Sequence, residues 1–174
     1  ELFIEHQAKT AAEAAEVVNA AIDWGVKQAQ SVDGVKVRTL EYSTAPAGAI
    51  LLRVDFNVAE DRLQAGGPMR PSSEAMSHGQ VYRALPHAGA VIHVHSPLLW
   101  RSAGVLGLAT TAPSAAYGTP AMAAAVHELL LADLRHSGRV FAMGGHEDGI
   151  VAYGSNIDEA GRRLLDCLAR AERL

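Results

Sequence analysis

The sequence predicts a layered α/β domain built on a mixed sheet, and three observations lead there. Helix-like and strand-like segments alternate along the chain, and several strands fall next to one another in pairs. The 174 residues carry no repeat, low-complexity tract or interdomain linker, so residues 1–174 are expected to form one domain around one core.

Taken in order, Thr10-Ala-Ala-Glu13 has the form of a capping box, and an Ala-rich amphipathic pattern follows to about Gln30. The turn at residues 31–34 leads into VKVRTLEY and, across the loop STAPAGA, into AILLRVDFNV. Both alternate or run apolar, as strands do. AEDRLQAGGPMRP reads as a polar, Gly-containing loop before a helix over residues 73–85. AVIHVH, residues 90–95, is a strand, and Pro97 opens a short helical piece. Thr119-Pro120 pairs an N-cap with proline at the first helical position, and that helix is expected to run to about His136 and stop at Gly138. Residues 139–143 and 150–153 form short strands around GGHEDG. Asn156-Ile-Asp-Glu159 is a second capping box and opens the C-terminal helix.

Composition narrows the function. Hydrophobic residues make up 49% and charged residues 20%, a globular balance rather than a disordered one. The net charge of -4 and the lack of a Lys/Arg stripe argue against a nucleic-acid partner. The single cysteine, Cys167, excludes an internal disulfide and fits a reducing cytoplasm; on the apolar side of the last helix it reads as core packing. No apolar run approaches the roughly 20 residues of a membrane span, and no signal-peptide pattern opens the chain. The expectation is a soluble cytoplasmic domain, and a start at Glu1 rather than Met is compatible with a short missing N-terminal piece.

The chemistry concentrates in AVIHVHSP. His93 and His95 interrupt an apolar strand at a spacing of two, which puts both imidazoles on one face. Two buried imidazoles need a partner for every ring nitrogen, and a divalent metal satisfies both at once. Further ligands are offered by Glu74 in PSSE and by His146 or Asp148 in GGHEDG. Taken singly, Glu74 reads as a first-turn carboxylate favoured by the helix dipole and His146 as an exposed loop residue.

Together these pieces resemble the class II aldolase/adducin family. PSSE, SHGQVYRALPHAGAVIHVHSP, AAYGTPAMAAAVHELL and the histidine-containing loop before IVAYGSNIDEA occur in the family's order over roughly residues 63–174. The resemblance implies a three-layer α/β/α domain whose central sheet is mixed and mostly antiparallel. It makes His93 and His95 ligands of a divalent metal, most simply Zn²⁺, with Mn²⁺ or Fe²⁺ as alternatives. The family's third histidine directly precedes a glycine, whereas here Asp148 precedes Gly149. Either the loop carries an extra residue and His146 still reaches the metal, or Asp148 has replaced the imidazole; His146 is preferred. Glu74 takes the acid/base role that follows the family's Ser-Ser pair, and Ser72 and Ser73 remain of its phosphate-contacting set. Assembly by resemblance is a homo-oligomer, commonly a tetramer.

The departures are as informative. The family's Gly-Asn-x-Ser phosphate loop has no match in SVDGVKVRTLEYSTAPAG. The segment between the H-x-H pair and Gly118-Thr119, which in the aldolase carries an acid/base tyrosine, is short, and with the chain expected to stop at Leu174, directly after its last helix, the tail that supplies another tyrosine to a neighbouring subunit is expected to be missing. The expected activity is therefore a metal-dependent lyase of the aldol-cleavage or decarboxylation type on a small hydroxy-carbonyl or keto-acid substrate. A non-catalytic adducin-like oligomerisation module, a sugar-phosphate epimerase and an iron oxygenase are the rivals. Four weaker candidates complete the set. Tyr117, directly before Gly118-Thr119, could reach the site, and His78, one helical turn after Glu74, could support it from behind the ligands, whereas His127 and His136 are expected at the surface or in the last turn of their helix.

Overall fold

The computed structural model describes residues 2–6, 53–57, 62–66, 72–132 and 139–174. Their elements are β1 (Leu2–His6), β2 (Arg53–Asn57), β3 (Arg62–Gly66), α1 (Ala75–Ala84), β4 (Ala90–His95), α2 (Pro97–Leu106), β5 (Ala109–Thr110), α3 (Pro120–Ala132), β6 (Val140–Ala142), β7 (Gly149–Gly154) and α4 (Ile157–Ala171). The main sheet has the order β1-β4-β7-β6-β5, with β1/β4, β4/β7 and β7/β6 antiparallel and β5/β6 parallel. β2 and β3 form a separate antiparallel ribbon with Arg53 opposite Gly66. The sheet is mixed and mostly antiparallel, as expected.

Alternation along the central strands divides the core in two. Val91, Phe141, Val151 and Tyr153 pack on one face with Val81 of α1 and Met122, Val126 and Leu130 of α3. Ala90, Ile92, Val140, Ala142, Ile150 and Ala152 pack on the other with Leu99 and Ala103 of α2 and Ala160 and Cys167 of α4. Because β4, β6 and β7 are covered on both sides, they read in sequence as nearly continuous apolar runs. Helices on both faces of one sheet make the three layers. Cys167 is buried in the second cluster, and burial pushes its thiol above the usual range, as core packing requires.

The helix starts follow local signals. Ser96 accepts a hydrogen bond from Leu99 N (3.3 Å) ahead of Pro97, and Thr119 Oγ1 accepts one from Met122 N (3.3 Å) ahead of Pro120. At α4, Asn156 Oδ1 accepts from Glu159 N (2.9 Å), while Glu159 Oε2 turns back to accept from Ser155 N (2.9 Å) and Ser155 Oγ (2.7 Å). Glu159 also pairs with Arg139 at the foot of β6. The hydrogen bonds from Ser155, then the Arg139 charge, hold the Glu159 carboxyl down to about 2. Its contribution is complete above the unfolded value near 4.5 and is lost as pH falls from there towards 2. Glu159→Gln is expected to lower stability by on the order of 1 kcal/mol at neutral pH. The urea midpoints of variant and wild type should converge over that acid window, and a constant difference across it would remove the carboxylate from the account.

The sequence reading needs four corrections here. The segment taken as a loop from residue 59 to 71 contains β3, and β1 and β5 were not anticipated. The helix expected from residue 73 begins at Ala75, because Ser73 and Glu74 form the turn before it. The helix over residues 10–30, the strand at 35–42 and residue 136 lie outside the described residues, as does the end expected for α3.

Candidate metal centre

β4 delivers the first two imidazoles. His93 lies on the same face as Val91, towards α1 and α3, and is 1% exposed, whereas His95 sits at the exposed end of the strand. Their ring centroids are 5.1 Å apart. His93 Nδ1 stands 3.2 Å from the carbonyl oxygen of Ile150 on the neighbouring strand. A carbonyl only accepts, so Nδ1 carries the proton and Nε2 keeps its lone pair. Burial, reinforced by the nearby imidazoles of His78, His146 and His95, pulls His93 down to about 3. The ring is neutral at physiological pH, the form in which histidine ligates a metal.

The β6–β7 loop delivers the third. His146 N donates to Met143 O (3.1 Å), Gly149 N donates to His146 O (2.9 Å), and Met143 N donates to Gly149 O (2.9 Å), closing a tight turn. Asp148 adopts the left-handed conformation (φ 64°), a region that aspartate tolerates better than most residues, and its carbonyl accepts from Ser96 N (2.8 Å). The turn is thereby tied to the end of β4. Gly144 and Gly145 play a different part from the conformational one their sequence suggests. A Cβ on Gly144 would fall 2.2 Å from Thr111 O, and one on Gly145 would fall 1.8 Å from Ala115 O. These glycines let the loop press against residues 111–115, which seats His146 inward at 9% exposed.

His146 lies 5.2 Å from His93 and 4.7 Å from His95, centroid to centroid. One potential ligand atom from each of His93, His95 and His146 falls within 4.8 Å of the others. Small side-chain rotations would reduce that spacing to the roughly 3.4 Å between neighbours on a common tetrahedral zinc. The donor set fits the metal implied by the sequence: three imidazoles, one oriented by a backbone carbonyl, the number of protein ligands usual for a catalytic zinc. The Asp148 carboxylate is outside the set.

Glu74 approaches from the start of α1 and is 1% exposed. It makes no side-chain cap. Oε2 accepts from Ser77 Oγ (2.9 Å) and Oε1 accepts from Gly118 N (3.0 Å), which fixes the carboxylate plane. Oε1 also stands 3.7 Å from His146 Nδ1. Burial holds His146 below the ordinary histidine range despite the opposing pull of Glu74, so a carboxylate here faces a neutral ring rather than an imidazolium. Of the two serines, Ser72 turns its Oγ to accept from Glu74 N (3.0 Å), while Ser73 is exposed.

Two residues given minor weight in sequence belong to this cluster. The Tyr117 ring is stacked on His146 at 4.7 Å and 26°, and His78, fully buried, lies 6.2 Å from His93. His78 follows Glu74 by one helical turn, a signal legible beforehand. The Ile150 carbonyl and the Gly118 amide are backbone groups that no motif marks. His127 is half-buried on α3 rather than at the surface.

Comparison with known proteins points the same way. Residues 34–172 match the model of the class II aldolase and adducin N-terminal domain. A methylthioribulose-1-phosphate dehydratase of Xanthomonas campestris pv. campestris (strain 8004) is 33% identical over 138 residues, covering 66% of this chain and 60% of that protein. Its counterpart in Xanthomonas euvesicatoria pv. vesicatoria (strain 85-10) is 41% identical over 64 residues, 33% of this chain and 28% of that protein. The one in Stenotrophomonas maltophilia (strain K279a) is 44% identical over 48 residues, 28% and 21% respectively. The chain thus spans at most 60% of the length of these curated relatives.

Proposed function

The chain belongs to the class II aldolase/adducin family, and from that premise we propose that it is a divalent-metal-dependent lyase acting on a small hydroxy-carbonyl substrate. The convergence of His93, His95 and His146 beside the buried Glu74 carries the reading. An adducin-like module without chemistry would have no use for three imidazoles, two of them buried, and a sequestered carboxylate gathered at one point, since burying such groups costs stability. His93, His95 and His146 would hold the divalent ion, which would supply Lewis-acid polarisation of a substrate carbonyl.

The remaining work falls to the chain. Glu74 removes the proton from the carbon next to the substrate carbonyl, its Oε1 and Oε2 held in place by Gly118 N and Ser77 Oγ. Ile150 O keeps the proton of His93 on Nδ1 and the lone pair on Nε2. Likeness to proteins named as dehydratases favours loss of a hydroxyl group as water from the adjacent carbon over carbon–carbon cleavage. Methylthioribulose 1-phosphate is therefore the first compound to assay.

Three imidazoles and a neutral donor set suit zinc. Elemental analysis of the purified chain is expected to find about one zinc or manganese ion per chain, with turnover lost on chelation and restored by the ion. A chain that takes up no divalent metal, or one that turns over equally well without it, overturns the proposal. Iron with oxygen consumption would favour the oxygenase instead.

A further inference from the structure

We infer that Tyr117 is a positioning residue for the metal site, its ring holding the His146 imidazole at the angle needed to meet His93 and His95. This rests on the metal-binding reading above and extends it to a residue outside the ligand set.

Three observations carry it. The Tyr117 ring is stacked on that of His146, with centroids 4.7 Å apart and planes 26° from parallel. His146 stands near edge-on to His95, at 77°, so the tyrosine and His95 bracket the third imidazole from different sides. Tyr117 is also 57% exposed, so core packing does not account for where its ring sits.

The chain is built to hold the ring there. Gly118 has φ 67°, a conformation that favours glycine, and a Cβ on it would come 3.3 Å from Ser73 Cβ, a tight contact. Its amide is bound to Glu74 Oε1 (3.0 Å), and Thr119 Oγ1 ties back to Ala116 O (2.6 Å) while capping α3. The turn that presents Tyr117 is fixed on both sides of the residue. His146 rides on a loop, and its Nδ1 has no hydrogen-bond partner among the described residues. Without the stacked ring, its own turn, its neighbouring imidazoles and the 3.7 Å approach of Glu74 Oε1 are what the described structure leaves to set its tilt. Supporting groups around metal ligands commonly change affinity by about 10–100-fold.

The test uses the full chain and two probes, zinc and cobalt. Zinc affinity is measured by competition with a chromophoric chelator, and the d–d absorption of the Co²⁺-loaded protein reports the ligand geometry. Tyr117→Ala is expected to weaken zinc binding about tenfold and to alter the cobalt bands, with the far-ultraviolet circular dichroism unchanged. Tyr117→Phe keeps the ring and is expected to restore both. An alanine variant with wild-type affinity and spectrum overturns the inference while leaving the metal site standing. A phenylalanine variant as impaired as alanine also overturns it, because the hydroxyl rather than the stacked ring would then be responsible. Failure of the wild-type chain to bind zinc or cobalt would instead fell the metal reading itself, and this inference with it.

Discussion

Replacing His95 or His146 with alanine is expected to strip the divalent ion from the purified protein, to below about a tenth of the wild-type content, while the fold persists. In the proposed site each residue would supply one of three ligands, so its loss would leave two imidazoles and water to compete with bulk solvent. His95 is the cleaner site for the experiment, since it is exposed and its truncation opens no cavity in the core. His93→Ala should lose metal as well, but it also removes a ring that is 1% exposed and bound to Ile150 O, so its unfolding midpoint has to be measured alongside. Asp148→Asn is the control. Its carboxylate lies outside the cluster, and asparagine tolerates the left-handed backbone at this position, so metal content should stay near wild type. Metal lost in the Asp148 variant and kept in the His146 variant would make the site two histidines and a carboxylate, and would redirect attention to iron.

The second large effect is on turnover. Glu74→Gln keeps the shape of the side chain: the amide oxygen can still accept from Gly118 N, and the amide nitrogen can donate to Ser77 Oγ. What it removes is the capacity to take a proton. Turnover should fall about 10²–10⁴-fold, the range usual for loss of a general acid/base. Metal content should be unaffected, because Glu74 touches the cluster only through the 3.7 Å approach to His146. A variant with normal turnover would take Glu74 out of the mechanism, and one that loses its metal would make Glu74 part of the ion's support.

The comparison of sequence with structure is instructive residue by residue. β4 and the starts of α2, α3 and α4 were legible because their signals are local: period-two alternation, Ser96-Pro97, Thr119-Pro120 and Asn156 through Glu159. β3 was not, since RLQAG carries two polar residues and a glycine and becomes a strand only by pairing with β2. β5, two residues long, exists through its partner β6. The site divides along the same line. The H-x-H spacing announces itself, and PSSE marks Glu74 once the resemblance is seen. The bonds that orient those residues join positions 44 and 57 apart in the chain and end on backbone atoms. No side-chain pattern encodes them. The part played by the glycines of GGHEDG was not legible either, because close approach to Thr111 and Ala115 depends on a neighbour that the sequence does not place beside them.

The strand order has a consequence for how the protein breathes. Among the described strands, β7 occupies the middle of the main sheet and β4 lies next to it, so both have a hydrogen-bonded neighbour on each side, while β1 and β5 are the outermost. Partial opening of a native protein starts where the ladder is unpaired on one flank and the element is short, which here means the two residues of β5. Such fraying leaves the His93–Ile150 pairing closed. The first pair of imidazoles and the carbonyl that orients one of them therefore belong to the last part of the sheet to come apart, and His146, on the loop that ends at β7, is anchored to it at one end. Removing an ion from such a place would leave its cradle waiting, ready to be refilled without refolding.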